Sequence, residues 1–206
     1  MLRKILAGGL LLFVFTTIGL LFWQQELQYS LPTPVPSDYQ VVPVNEVLTI
    51  ADSTLAPISK PVLYHFFKPG CPCSRFNIQH FEALRRQFGT KIDFVVVVPD
   101  GSDYESSLDY FDTNLIVTED KNQLLAHEFG VYSTPQAVIV TTDRKLYYRG
   151  NYNKARYCTD PGSNFAQMAL DSLALGRRAP DFGLLSTVAY GCGLPNEEFN
   201  LWKLSL

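Results

Sequence analysis

The chain has 206 residues, 47% of them hydrophobic and 18% charged, which suits one globular domain with an accessory segment and excludes a disordered chain. Its net charge of −3 offers no basic stripe, so nucleic acid is not an expected partner.

The first element follows at once. After "MLRK", residues 1–4, comes "ILAGGLLLFVFTTIGLLFW", residues 5–23, without a charged side chain. As a helix rising about 1.5 Å per residue this run reaches roughly 28 Å, close to the hydrocarbon thickness of a bilayer. A cleaved signal peptide has a shorter apolar region and a small-x-small cleavage site, and neither is found here. The expectation is an uncleaved transmembrane anchor over 5–23, with Trp23 at the interface and Arg3 and Lys4 cytoplasmic. The remainder then lies outside the cytoplasm, in the periplasm of a cell with an inner membrane. Residues 24–45 carry Pro32, Pro34, Pro36 and Pro43 and are expected to form an extended, stiff linker. Residues 46–206 are left to form the folded domain and its tail.

Within that domain, "PVLYHFF" (61–67) is an apolar run that reads as a buried strand. "SRFNIQHFEALRRQFG" (74–89) has apolar residues at helical spacing and a glycine stop. "KIDFVVVVP" is a continuous β-branched run, the mark of a strand buried on both faces. Strand, helix, strand at this spacing is a βαβ unit with parallel pairing. The polar stretch "DGSDYESSLDYFDTN" is expected to be a loop, "LIVT" a short strand and "EDKNQLLAHEFG" a helix ending at Gly130. "VYSTPQAVIVTTDRKLYYRG" predicts a β-hairpin, and "SNFAQMALDSLALG" (163–176) a last helix capped by Ser163. The final thirty residues, with "GCGLP", show no period.

Four cysteines, Cys71, Cys73, Cys158 and Cys192, all follow the apolar segment. Outside the cytoplasm they are disulfide candidates first. Cys71 falls where a strand stops and a helix begins, with Pro72 as the first helical residue. A thiolate there faces unsatisfied backbone N–H groups and the positive end of the helix dipole, which lowers its pKa.

The order βαβ, connecting helix, hairpin, helix resembles the thioredoxin fold, an α/β architecture, over roughly residues 60–176. Two motifs carry the likeness: the strand ending in "FFKPGC" and the segment "GVYSTPQAVIV" some 60 residues later. The resemblance implies a thiol–disulfide oxidoreductase in which Cys71 is the nucleophile and the loop at Thr134 and Pro135, with a cis proline, faces it and receives substrate. It places His65 where thioredoxins bury an acidic residue, so His65 is either a general base or a hydrogen-bonded core histidine. No cofactor is implied, because electrons pass between sulfurs. The expected partners are protein thiols and disulfides, and a second protein that resets the redox state.

The chain departs from the family at its second cysteine. The usual spacing is Cys-x-x-Cys, whereas here position 74 is serine and Cys73 comes one residue early. On a regular helix these two residues point about 200° apart, so a Cys71–Cys73 bridge requires Cys71 to be non-helical. The catalytic expectation is Cys71 with Cys73, the alternative being Cys71 resolved by a distant thiol. Cys158 and Cys192 are expected to form a structural disulfide worth about 2–4 kcal/mol, one of them as resolving thiol being the sharper alternative. Two further readings fit less well. Peroxiredoxins carry a threonine three residues before their reactive cysteine, where this chain has Lys68. Copper-delivery proteins of this fold use Cys-x-x-x-Cys and a later histidine, and no histidine follows His127. A metal site is therefore not expected.

Overall fold

A computed structural model describes residues 1–24, 31–49, 59–100, 104–154 and 158–194. Expectations for residues 25–30 of the linker, 101–103 of the polar loop and 195–206 of the tail lie outside the described residues.

Helix α1 (Leu2–Phe22) matches the apolar run and is long and apolar enough to cross a membrane. The domain is built on a five-stranded sheet. Its strands are β1 (Val62–Phe66), β2 (Asp93–Pro99), β3 (Ile116–Asp120), β5 (Gln136–Val140) and β6 (Leu146–Gly150), in the order β3-β2-β1-β5-β6. β1 pairs parallel with β2 and antiparallel with β5, so His65 sits between Val96 and Ala137. This is a thioredoxin-like α/β fold, with the parallel half and the hairpin half meeting at β1. β1 and β2 lie in the middle, which explains why both are apolar runs without alternation.

Successive side chains of a strand face opposite sides. Leu63, Phe67, Val96, Val98, Ala137 and Ile139 pack with helix α2 (Pro72–Phe88) and helix α5 (Phe165–Ala174). Tyr64, Phe66, Val95, Val97, Val138 and Val140 pack with helix α4 (Leu124–Phe129).

Four local expectations are corrected. The polar loop contains a short helix, α3 (Tyr104–Leu108). The connecting helix starts at Leu124, not at Glu119, because β3 runs on to Asp120 and Asn122 and Gln123 hold positive φ of 54° and 57°. Asp120 then receives the Leu125 and Ala126 N–H groups at 2.8 and 2.9 Å, which satisfies two orphan donors of α4. Ser163 does not cap α5: its hydroxyl donates to Asn153 Oδ1 at 3.0 Å, and Asn164 takes the cap position. The tail, which has no period, forms helix α6 (Leu184–Thr187) and strand β7 (Cys192–Gly193).

Residues 31–48 do not run as a free linker. Asn45 donates to the Leu146 carbonyl (2.8 Å), Leu146 to that of Glu46 (3.0 Å) and Leu48 to that of Arg144 (2.8 Å). Two turns, closed by Tyr39 N–H to the Pro36 carbonyl (3.2 Å) and Glu46 N–H to that of Pro43 (3.1 Å), bring the segment against the start of β6, where it covers part of the open edge. The tail is held at the far end of that strand. Asn151 Nδ2 donates to the carbonyls of Leu185 (3.0 Å) and Val188 (2.6 Å), and its backbone N–H to that of Ser186 (2.8 Å). Replacing Asn151 with alanine leaves two carbonyls short of a donor. It is expected to lower stability by about 1–3 kcal/mol, read as a lower urea midpoint with an unchanged slope. A midpoint equal to that of the parent contradicts the clamp.

Candidate active site

The site is assembled from four pieces of chain: the start of α2, strand β4 (Ser133–Thr134), the tail strand β7, and residues 32–33. Cys71 is the N-cap of α2, with extended backbone (φ −89°, ψ 118°), and Pro72 opens the helix. The first helical bond runs from Arg75 N–H to the Cys71 carbonyl at 3.2 Å. The sequence places the cysteine here because proline fits the first helical position and needs no donor.

Cys71 is disulfide-bonded, and its partner is Cys192, 121 residues away, with the Cα atoms 6.0 Å apart. Neither expected bridge is present. Cys73 is a thiol at the head of the buried stripe Cys73, Asn77, Phe81, Leu84 and Phe88, so it faces the core, whereas Cys71 faces β4. The i, i+4 spacing of a helix imposes that separation. Ser74 occupies the position of the family's second cysteine and is fully buried; its hydroxyl receives the Lys68 N–H at 3.4 Å. Cys158 is held elsewhere, beside α2, where its thiol donates to Asn77 Oδ1 at 3.1 Å. Burial pushes that thiol up to about 12, so it is protonated at neutral pH.

The loop expected to face Cys71 does so. The Thr134–Pro135 peptide bond is cis, and the Thr134 carbonyl oxygen lies 3.7 Å from Cys71 Sγ. β4 is paired antiparallel with β7, setting Ser133 opposite Gly193 and Thr134 opposite Cys192. This pairing brings Cys192 to Cys71. Gly191 makes it possible: its φ is +139°, and an added Cβ would collide with the Thr134 carbonyl. On the other side of the tail, Thr33 N–H donates to the Ala189 carbonyl at 2.8 Å, and Pro32 bridges Tyr190. The Thr33 and Ser133 hydroxyls meet at 2.9 Å.

His65 lies beneath the site in an aromatic cage. Its ring stacks on Phe81 at 4.5 Å, and its Nδ1 is 2.8 Å from the Tyr152 hydroxyl. It is completely buried, and desolvation lowers its pKa to about 3. At neutral pH it is an uncharged and weakly basic ring, which favours the core-histidine reading over the general base. His80, on α2, is lowered by burial, and His127 is exposed. Among the described residues, no three His, Cys, Asp or Glu side chains converge as metal ligands.

Sequence reasoning missed the roles of Gly191, Thr33 and Ser133, and it held a distant thiol, Cys158 or Cys192, as the partner of Cys71 only as the alternative. The available signal was the run Gly191-Cys192-Gly193, a cysteine flanked by residues that allow close backbone approach.

Residues 44–193 match a family described as a domain of unknown function (DUF6436). No curated protein matches the sequence. The fold is similar to the crystal structure of a hypothetical protein from Sinorhizobium meliloti 1021, with a TM-score of 0.59 and 16% identity over 75% of this chain and 95% of that one. It is also similar to that of an uncharacterized conserved protein from Geobacillus kaustophilus, at 0.60 and 17% over 78% and 96%. A secreted Mycobacterium tuberculosis disulfide oxidoreductase homologous to E. coli DsbE gives 0.42 and 16% over 57% and 81%.

Proposed function

The chain belongs to the DUF6436 family, and from the geometry of its disulfide we propose that it is a membrane-anchored thiol–disulfide oxidoreductase working outside the cytoplasm. One observation carries this reading: the bridge joins the N-cap cysteine of a helix to a strand paired with the loop at Thr134. Breaking the bridge releases Cys71 as a thiolate at the helix N-terminus, where unsatisfied N–H groups and the dipole stabilise it. That makes Cys71 a good leaving group in one direction and a reactive nucleophile in the other. The redox pair is then Cys71 and Cys192, with Cys73 and Cys158 outside the exchange.

In the oxidised form the chain accepts two electrons from a protein dithiol, yielding a partner disulfide and two thiols on Cys71 and Cys192. A redox-resetting protein removes those electrons. In the reverse direction one thiolate of the pair opens a partner disulfide and the other closes the Cys71–Cys192 bridge, releasing the reduced partner. Thr134 and Pro135 form the wall against which a partner's chain lies. Insertion of α1 in the inner membrane, with Arg3 and Lys4 cytoplasmic, sets the domain in the periplasm.

The test is non-reducing peptide mapping of the full chain in detergent, together with turnover of a protein disulfide. Cys73→Ser is expected to keep the Cys71–Cys192 bridge and at least about half of the exchange rate, because Cys73 faces the core. Cys192→Ser loses the bridge. A Cys71–Cys73 bridge in the parent chain, or loss of oxidation in Cys73→Ser, would falsify this assignment.

A further inference from the structure

The two sulfurs of the bridge differ in access. Cys71 is 1% exposed, shut in by α2, the Thr134 carbonyl and the tail. Cys192 is partly exposed on a strand two residues long. The tail around it, residues 189–194, lies as an extended segment between two others. On one side Thr33 N–H holds the Ala189 carbonyl, and Thr33 Oγ1 donates to the Gly191 carbonyl at 3.4 Å. On the other, β7 pairs with β4, and Leu194 N–H donates to the Tyr132 carbonyl at 2.9 Å. Residues 189–194 thus occupy the edge of β4 that an incoming extended peptide would need for main-chain pairing.

We propose that Cys192 is the sulfur an incoming protein thiolate attacks, and that the tail strand is an internal stand-in for the partner, displaced as the reaction proceeds. The inference rests on the redox reading above and adds the entry point and the order of steps. A partner thiolate forms a bond to Cys192 Sγ; the Cys71–Cys192 bond breaks and its electron pair goes to Cys71, which leaves as a thiolate. The partner's second thiolate then attacks its own sulfur in the mixed disulfide and expels Cys192 as a thiolate, which takes a proton from water. The partner has lost two electrons and the chain has gained two. The fit is therefore to a protein dithiol on an extended segment, able to replace the tail along β4 once Cys192 has let go.

The probe is glutathione, a monothiol that stops at the first step. The oxidised full chain in detergent is mixed with it for short times, quenched in acid, alkylated and mapped. The expected early product carries glutathione on Cys192 and the alkyl label on Cys71, in about tenfold or greater excess over the reverse, because access selects the sulfur. A second variant, Gly191→Ala, pushes the tail off the Thr134 carbonyl. It is expected to speed the glutathione step and to bring the two products towards equal amounts, as Cys71 loses its cover. Early glutathione on Cys71 in the parent, or a rate and product ratio unchanged in Gly191→Ala, overturns the inference while leaving the redox reading intact. Absence of both adduct and turnover overturns the two together.

Discussion

Replacing Cys71 with serine is expected to lower disulfide exchange by roughly a thousandfold or more, because the substitution removes the only sulfur of the bridge that sits at a helix N-terminus. The fold should survive, since the hydroxyl is smaller than the thiol and serine is a favoured helix cap. Three companion variants make the effect specific. Cys192→Ser leaves Cys71 without its bridge partner, so catalytic turnover is expected to be lost. Cys158→Ser removes a thiol that burial keeps protonated, and turnover is expected to be unaffected. Cys73→Ser alters a residue of the core stripe of α2. Stopped-flow reduction of a fluorescent disulfide peptide, with non-reducing gels of the same samples, reads all four. If Cys71→Ser keeps more than about a tenth of the parent rate, the nucleophile has been misassigned.

The second large effect is on stability in mild acid. His65 is fully enclosed, and its pKa in the folded chain is about 3, against 6.5 when unfolded. A base with a depressed folded pKa takes up its proton only on unfolding. The unfolded chain therefore gains protons as pH falls below about 6.5, and stability present above that pH is eroded down to about 3. By pH 4.5 the loss is expected to reach about 2–3 kcal/mol, a large part of a typical domain's margin. His80 is shifted the same way by burial and adds to it. Asp120, raised by burial, acts in the opposite sense as pH falls. Asp143 and Asp160 are held below 3.8 by hydrogen bonds to lysine, so their contribution is lost only at lower pH. Urea unfolding between pH 7 and 4.5 reads the sum of these effects, and nitrogen chemical shifts at pH 5, which should show the His65 ring neutral, assign the part that belongs to His65. A flat stability profile over that range, or a ring that titrates near 6.5, would remove the argument.

What could be read in advance follows from where the information lies. β1 and β2 were legible because a central parallel strand must be apolar on both faces, and "VLYHF" and "FVVVV" are. The start of α2 was legible because Cys-Pro at a strand end satisfies a local rule about orphan donors. The break at Asn122 and Gln123 was not, since both residues tolerate a helix and only the Asp120 carboxylate, set by β3, moves the cap downstream. The cysteine pairing was the hardest. Cys71 and Cys192 are 121 residues apart, and nothing local to either selects the other. Selection comes from β4, which pairs with β7 in a register that sets Cys192 opposite Thr134. The proximity of Cys71 and Cys73 in sequence pointed the wrong way, because two residues along a helix are on opposite sides of it.

The contact between Thr33 and the tail also fixes how high the reactive bridge stands. From Gln24, just past α1, to Leu31 the chain has seven peptide steps, which span at most roughly 25 Å when stretched. Thr33 touches Gly191, the neighbour of Cys192, so the disulfide cannot rise much beyond that height. Were α1 to sit in the bilayer, as proposed above, that short leash would keep the cleft within a shallow layer over the lipid headgroups.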